Sequence, residues 1–150
     1  MKKYLVAFLF IACNTGVPVN KSEKDSTVTK TAAKQFSING CYAMTNNKDS
    51  ATMKLFVKDN IVSGNLTINL FEKDKNSGAI KGIITDSLLI ADYTFHSEGM
   101  TSVREVVFKI KGNALYEGYG EVTENGNKVS FKNISQLQFH NYAFTKVSCN

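Results

Sequence analysis

Residues 51–70 read ATMKLFVKDNIVSGNLTINL, and this stretch decides the fold. Two runs in which apolar and polar residues alternate flank the polar turn Lys58-Asp59-Asn60. The apolar members are Met53, Leu55 and Val57 in the first run and Val62, Leu66, Ile68 and Leu70 in the second. A period of two places each apolar set on one face of a β-strand. Because a turn this short joins only antiparallel neighbours, the stretch predicts a β-hairpin.

The same pattern continues from residue 35 to the C-terminus, where segments rich in Val, Ile, Phe, Tyr and Thr alternate with polar turns. We expect eight main strands and one closing strand, at 36–45, 51–58, 61–72, 78–85, 87–98, 102–111, 114–123, 128–133 and 142–149. An antiparallel meander of this length removes its exposed edges by closing into a barrel. The prediction is an all-β fold, a small lipocalin-like or avidin-like barrel. An immunoglobulin-like β-sandwich is the alternative, although the chain has no tryptophan to pack on its bridge.

The N-terminus has the parts of a secretory signal. Met1-Lys2-Lys3 is basic, and residues 4–12 form an apolar run that is too short to span a bilayer. The run ends in Phe10-Ile11-Ala12-Cys13, which resembles the lipobox of bacterial lipoproteins. The resemblance implies cleavage before Cys13 and a lipid attached to that cysteine, and Asn14 at the next position favours the outer membrane over the inner one. The alternatives are an ordinary signal peptide or a buried N-terminal strand.

The chain is therefore divided into a signal peptide at 1–12, a lipidated cysteine with a flexible tether at 13–34, and a β domain at 35–150. Residues 14–34 contain no aromatic residue and hold the only proline, so they cannot bury an apolar face. We expect the tether to space the β domain from a membrane, which the protein contacts through its lipid.

The two cysteines that remain, Cys41 and Cys149, lie in the first and last predicted strands. Exported proteins fold in an oxidising compartment, so a disulfide between them is expected. A disulfide requires Cα atoms within about 7 Å of each other. The pair therefore predicts that the first and last strands are neighbours, as barrel closure requires.

Charge and composition exclude several classes of protein. Hydrophobic residues make up 43% of the chain, which excludes wholesale disorder. The formal net charge is +5, but four basic residues of the predicted tether contribute to it and two more belong to the signal. The chain has a single arginine and no basic stripe interleaved with aromatic residues, so we expect no nucleic-acid partner.

That arginine, Arg104, shares its predicted strand face with Val106, Phe108 and Ile110. An inward-facing arginine must be paired or lie at a solvated barrel mouth. One interpretation is structural, an ion pair with Glu98 or Glu105 that caps the barrel. The other is functional, an anchor for the carboxylate of a ligand.

Three tyrosines complete the candidate ligand-binding set with Arg104. Tyr93 is one of the large residues predicted to face inward, and Tyr116 and Tyr119 alternate with Gly118 and Gly120. A glycine inside a strand marks a bend or a close approach. These glycines predict either a barrel corner or a gap that leaves room for a ligand beside the tyrosine rings.

No catalytic or metal-binding set is expected. His96 and Ser97 are adjacent on a predicted strand and so point to opposite faces, which prevents a nucleophile–base pair. His96 and His140 are the only histidines, and their spacing predicts no metal site. We therefore expect no enzymatic activity and no cofactor.

The predicted domain resembles two kinds of bacterial envelope lipoprotein: small lipocalin-type or avidin-like barrels, and cysteine-pinned β domains that inhibit lysozyme. The likeness is architectural, because the Gly-X-Trp motif of lipocalins is impossible in a chain without tryptophan. It implies a membrane-anchored envelope lipoprotein that binds a small or hydrophobic ligand, or else a protein-binding module such as a hydrolase inhibitor. A hollow barrel would favour the first function, and a filled barrel with a protruding polar loop the second.

Overall fold

A computed structural model describes residues 37–97 and 99–149, which form strands and turns with one short 3-10 segment at Ile134–Gln136. The strands are β1 (Gly40–Asn46), β2 (Asp49–Lys58), β3 (Ile61–Asn69), β4 (Asn76–Thr85), β5 (Leu88–Ser97), β6 (Met100–Lys111), β7 (Ala114–Tyr119), β8 (Val122–Asn125), β9 (Lys128–Phe131), β10 (Gln138–Phe139) and β11 (Phe144–Val147). No helix in these residues is long and apolar enough to cross a membrane.

Eight of these strands close into an antiparallel barrel, which confirms the predicted fold class. Strands β1 to β7 form a meander in chain order, and β11 fills the gap between β7 and β1. The closing contacts pair Thr145 with both Ala43 on β1 and Ala114 on β7. Because every barrel strand has two neighbours, the barrel has no open edge.

Side chains fill the interior of the barrel. The inward-facing residues of β2, β3 and β6 are those that the alternating pattern predicts, except that Leu70 lies beyond the end of β3 and is exposed. The largest fully buried side chains are Tyr42, Tyr93, Phe108, Phe144, Ile38, Met53, Leu55, Leu66, Ile80, Leu89, Leu115 and Val62. Each is less than 2% exposed, so no hollow large enough for water reaches them. An eight-stranded barrel is narrow enough to be filled in this way.

Glycines on the inner face of β3 and β4 allow the strands to approach closely. A Cβ atom added at Gly82 would lie 2.5 Å from the Cα atom of Ala91 on β5, closer than such atoms come in proteins. Added at Gly64, it would collide with the carbonyl oxygen of Lys54 on β2. The large side chains of the interior are thus balanced by positions that hold no side chain at all.

The two ends of the barrel differ. At one end, called the entry end below, β1 begins at Gly40 and the turns that follow β2, β4 and β6 cluster. The chain enters here beside β2: the Asn39 side chain donates to the Val57 carbonyl oxygen at 3.3 Å, and the Val57 amide donates to Asn39 Oδ1 at 2.6 Å. Ile38 is 1% exposed and packs in the core at this end. The opposite end, called the open end below, carries the turns between β1 and β2, β3 and β4, and β5 and β6.

The predicted disulfide is present. Cys41 and Cys149 are bonded, with their Cα atoms 5.2 Å apart. Cys41 pairs with Val147 on β11, so the bridge joins the two strands that close the barrel. The predicted adjacency of the first and last strands is confirmed.

Two strand predictions were wrong. The segment 114–123 is two strands, since β7 ends at Tyr119 and β8 begins at Val122. The segment near 128–133 is not a barrel strand, because β9 lies outside the barrel and pairs in parallel with β6 through Val103 and Arg104. Alternation reports which way side chains face and does not report which strand is the neighbour. The β8–β9 hairpin is attached by an ion pair between Lys128 and Asp92 at 2.7 Å.

Candidate functional site

Charged and aromatic side chains replace the apolar core toward the open end. On β6 the inner face runs from Phe108 through Val106 to Arg104, and on β7 from Leu115 through Glu117 to Tyr119. The first members of each series are fully buried, whereas Arg104 and Tyr119 are exposed. The site therefore stands on the filled core.

Arg104 faces inward, as its parity predicts, opposite Tyr93 on β5. Its predicted ion pair with Glu105 is not formed, because adjacent residues of a strand face opposite sides; the Glu105 carboxylate instead accepts a hydrogen bond from the Phe131 amide at 2.9 Å. The other predicted partner, Glu98, lies outside the described residues. Within the described part of the chain, the Arg104 guanidinium has no ion-pair partner.

Glu117 is the acidic counterpart of Arg104. It lies opposite Phe108 in the register of β6 and β7, so its side chain is on the inner face. Burial raises the pKa of the Glu117 carboxyl, and the positive charge of Arg104 opposes that rise. The two charges thus interact across the open end without forming an ion pair.

The segment between β10 and β11 forms a bulge that adds two aromatic rings to the site. Gln138 pairs with Tyr119, but Phe144 pairs with Leu115, so residues 140–143 oppose only two residues of β7. The His140 amide donates to the carbonyl oxygen of Glu117 at 3.0 Å. The extra residues bring His140 and Tyr142 beside Glu117.

The resulting ring stack consists of Tyr119, His140 and Tyr142. Ring centroids are 4.6 Å apart between Tyr119 and His140 and 4.5 Å apart between His140 and Tyr142. The Tyr119 hydroxyl donates to Gln138 Oε1 at 3.0 Å. Burial lowers the pKa of His140, which favours its neutral ring. Burial also raises the pKa of Tyr142, and the negative charge of Glu117 adds to that rise.

Two cavities open between these residues and the β8–β9 hairpin. The mouth cavity has a volume of about 280 Å³ and is lined by Arg104, Glu117, Tyr119, His140, Val129 and Phe131, among others. The hairpin cavity, of about 430 Å³, is lined by Phe95, Ser102, Arg104, Glu124, Asn127 and Val129, among others. Arg104 and Val129 line both cavities and so separate them.

Tyr93 lies opposite Arg104 on the neighbouring strand and lines neither cavity. Its side chain is 1% exposed, and its ring stacks on that of Phe95 with centroids 4.8 Å apart. The hydroxyl has no hydrogen-bond partner among the described residues. Burial raises the pKa of Tyr93 to about 12, against the opposing effect of Arg104. An unpaired buried hydroxyl is costly and therefore calls for an explanation.

Tyr116 is placed elsewhere. It pairs with Lys109, so it faces outward, and Lys111 Nζ lies 5.0 Å from the centre of its ring. The neighbouring Gly118 also faces outward and makes room for Leu137, whose Cδ1 would lie 3.2 Å from an added Cβ atom. The glycine accommodates an outer layer of the protein rather than a ligand.

Of the four candidate residues from the sequence, Arg104 and Tyr119 line the mouth cavity, and Tyr93 is buried beside Arg104. The lipidation candidate Cys13 lies outside the described residues. Glu117 was not predicted, although its parity with Leu115 and Tyr119 indicates that it faces inward. His140 and Tyr142 were not predicted either, although they alternate with the buried Phe144.

This arrangement suits binding by charge. A guanidinium donates paired hydrogen bonds to a carboxylate or phosphate, and a carboxylate accepts them from an amine. Among residues 37–97 and 99–149, no three side chains of His, Cys, Asp or Glu are grouped so that they could hold a metal ion. No family model, curated protein or solved structure matches this chain.

Proposed function

We propose that this protein is a non-enzymatic, lipid-anchored envelope lipoprotein whose barrel binds a small molecule at its open end. One observation carries the binding function: Arg104 and Glu117 line the same cavity and form no ion pair with any described residue. Side chains held only for structure would be expected to pair. Because side chains fill the interior, we place the ligand at the mouth of the barrel rather than inside it.

The mouth cavity also sets the size of the ligand. Pockets for drug-sized molecules have volumes of about 300–1,000 Å³. The mouth cavity, at about 280 Å³, is at the lower limit of that range and suits a compact molecule. Its walls are mixed, with Val129 and Phe131 on one side and charged groups on the other.

The anchor rests on the sequence. Cys13 directly follows the apolar run, and Asn14 favours the outer membrane of the envelope.

Metabolic labelling with palmitate tests the anchor. Wild type should incorporate label and Cys13→Ser should not, while Cys149→Ser, which removes a different cysteine, should be labelled like wild type. Equal label in wild type and Cys13→Ser would reject the lipoprotein assignment.

Equilibrium dialysis against a small-molecule extract of the bacterial envelope, followed by mass spectrometry, tests the binding function. The full-length protein should retain a compound that the double variant Arg104→Met/Glu117→Gln loses. Lys81→Met removes an exposed charge on the outer face of β4 and is the matched control. Retention of nothing, or equal retention by wild type and the double variant, would reject binding at the open end.

A second function is a protein-binding module, such as an inhibitor of a lysozyme-type hydrolase. The filled interior favours it, as do exposed apolar side chains at the open end, where Met100 is 66% and Phe71 is 47% exposed. A lysozyme assay with added protein tests it. Inhibition that Met100→Ser and Phe71→Ser abolish would support this function, and unchanged turnover would reject it.

A further inference from the structure

Arg104 and Glu117 reach the mouth cavity from different heights. Glu117 is level with Phe108, and Arg104 lies four residues further along β6 toward the open end. At about 3.3 Å per residue, their Cα levels are about 13 Å apart. Both side chains nevertheless line the mouth cavity without forming an ion pair, so a molecule bound there meets both charges.

The Glu117 carboxylate in the wall of the mouth cavity is costly to leave unpaired. Glu117 is partly buried, and burial raises the pKa of its carboxyl despite the nearby Arg104. Removing a charge from water is costly unless it gains a partner. A purely apolar ligand would bury both charges further, and an anion alone would leave the Glu117 carboxylate uncompensated.

We infer that the ligand is a small zwitterion whose carboxylate binds Arg104 and whose ammonium group binds Glu117. Its apolar or aromatic body then packs against Phe131 and the ring stack. The inference rests on the proposed function, since it names the ligand class of that same site. It accounts for one cation and one anion that face a shared cavity without pairing.

Three probes with a common body test the charge requirement: phenylalanine, its methyl ester, which has only the ammonium group, and N-acetyl-phenylalanine, which has only the carboxylate. Titration calorimetry with the full-length protein should show that phenylalanine binds most tightly. Loss of either charge should weaken binding at least about tenfold, the factor that corresponds to about 1.4 kcal/mol.

Two variants assign each charge to its residue. Arg104→Met should bind phenylalanine and its methyl ester equally, whereas Glu117→Gln should bind phenylalanine and N-acetyl-phenylalanine equally. Lys81→Met and Asp74→Asn, which remove charges outside the cavity, should keep the preferences of wild type. Urea midpoints establish that each variant is folded; Arg104→Met should match wild type, because its guanidinium is exposed and unpaired among the described residues.

The outcomes separate the ligand class from the function. If either singly charged probe binds wild type as tightly as phenylalanine, or if both variants keep the wild-type preference, the zwitterion is rejected while binding at the open end stands. If none of the three probes binds at millimolar concentration, the zwitterion is rejected as well, and the dialysis experiment decides separately whether the open end binds a small molecule.

Discussion

Two buried tyrosines should respond in opposite directions to the same substitution. Tyr42 and Tyr93 are each 1% exposed and lie on the inner face of the barrel. The Tyr42 hydroxyl donates to the carbonyl oxygen of Ile38 at 3.1 Å. The Tyr93 hydroxyl has no partner among the described residues. Replacement by phenylalanine removes only the oxygen in both cases, so packing is nearly unchanged.

The expected magnitudes follow from these contacts. Tyr42→Phe removes a hydrogen bond and leaves a carbonyl group unsatisfied, which should lower the free energy of unfolding by about 1–2 kcal/mol. Tyr93→Phe removes a hydroxyl whose unpaired burial costs about 1–3 kcal/mol, so it should raise the free energy of unfolding. The two variants should therefore differ by at least about 2 kcal/mol.

Urea denaturation of the full-length protein measures this difference. With a slope of about 2 kcal/mol per M, the midpoints of the two variants should be about 1 M apart, on opposite sides of wild type. A loss of stability in Tyr93→Phe as large as that in Tyr42→Phe would refute the reasoning. It would mean that the Tyr93 hydroxyl is satisfied in solution, for example by a water molecule.

Three other changes have predicted outcomes. Replacing Cys41 and Cys149 together by alanine opens a loop of 108 residues and should lower the free energy of unfolding by about 4–5 kcal/mol. Urea denaturation of reduced wild type should show the same loss, and a loss below about 1 kcal/mol would contradict the contribution of the disulfide. Gly82→Ala forces a Cβ atom against Ala91 and should lower the free energy of unfolding by about 1–3 kcal/mol. An unchanged urea midpoint would be inconsistent with the close packing of these strands. Burial raises the pKa of Glu117, so wild type should lose stability as pH rises from about 4.3 through the folded-state pKa, and Glu117→Gln should lack this loss; parallel pH profiles would contradict it.

The fold was largely predictable because its pattern is local. Alternation of the kind seen at Met53 and Leu55 identifies the buried face of a strand without knowledge of its neighbours. The disulfide then supplied the one long-range contact that closes the barrel. The position of β9 was not predictable, since its parallel contact with β6 depends on where β7 ends and leaves part of β6 free.

The site was predictable only in part, because alternation reports which way a side chain faces and not which strand lies beside it. Parity placed Arg104 and Tyr93 on one face, and they are cross-strand neighbours. Parity also separates Tyr116 from Tyr119, because residues three apart on a strand face opposite sides: Tyr116 faces outward and Tyr119 faces the mouth. His140 and Tyr142 lie between β10 and β11, where four residues oppose two of β7, and nothing in the sequence marks this change of register.

The polarity of the inner face supports our proposal that a filled barrel binds a ligand at its open end. Along β6 the inner residues change from Phe108, which is fully buried, to Arg104, which is exposed, and β7 changes in the same direction through Glu117. Both charged side chains stand on strands whose lower halves are fixed by close packing. A site built on such strands is held more precisely than one built on loops. The packed core thus excludes a ligand from the interior and, by fixing β6 and β7, keeps the charges of Arg104 and Glu117 apart at the mouth, where a ligand can join them.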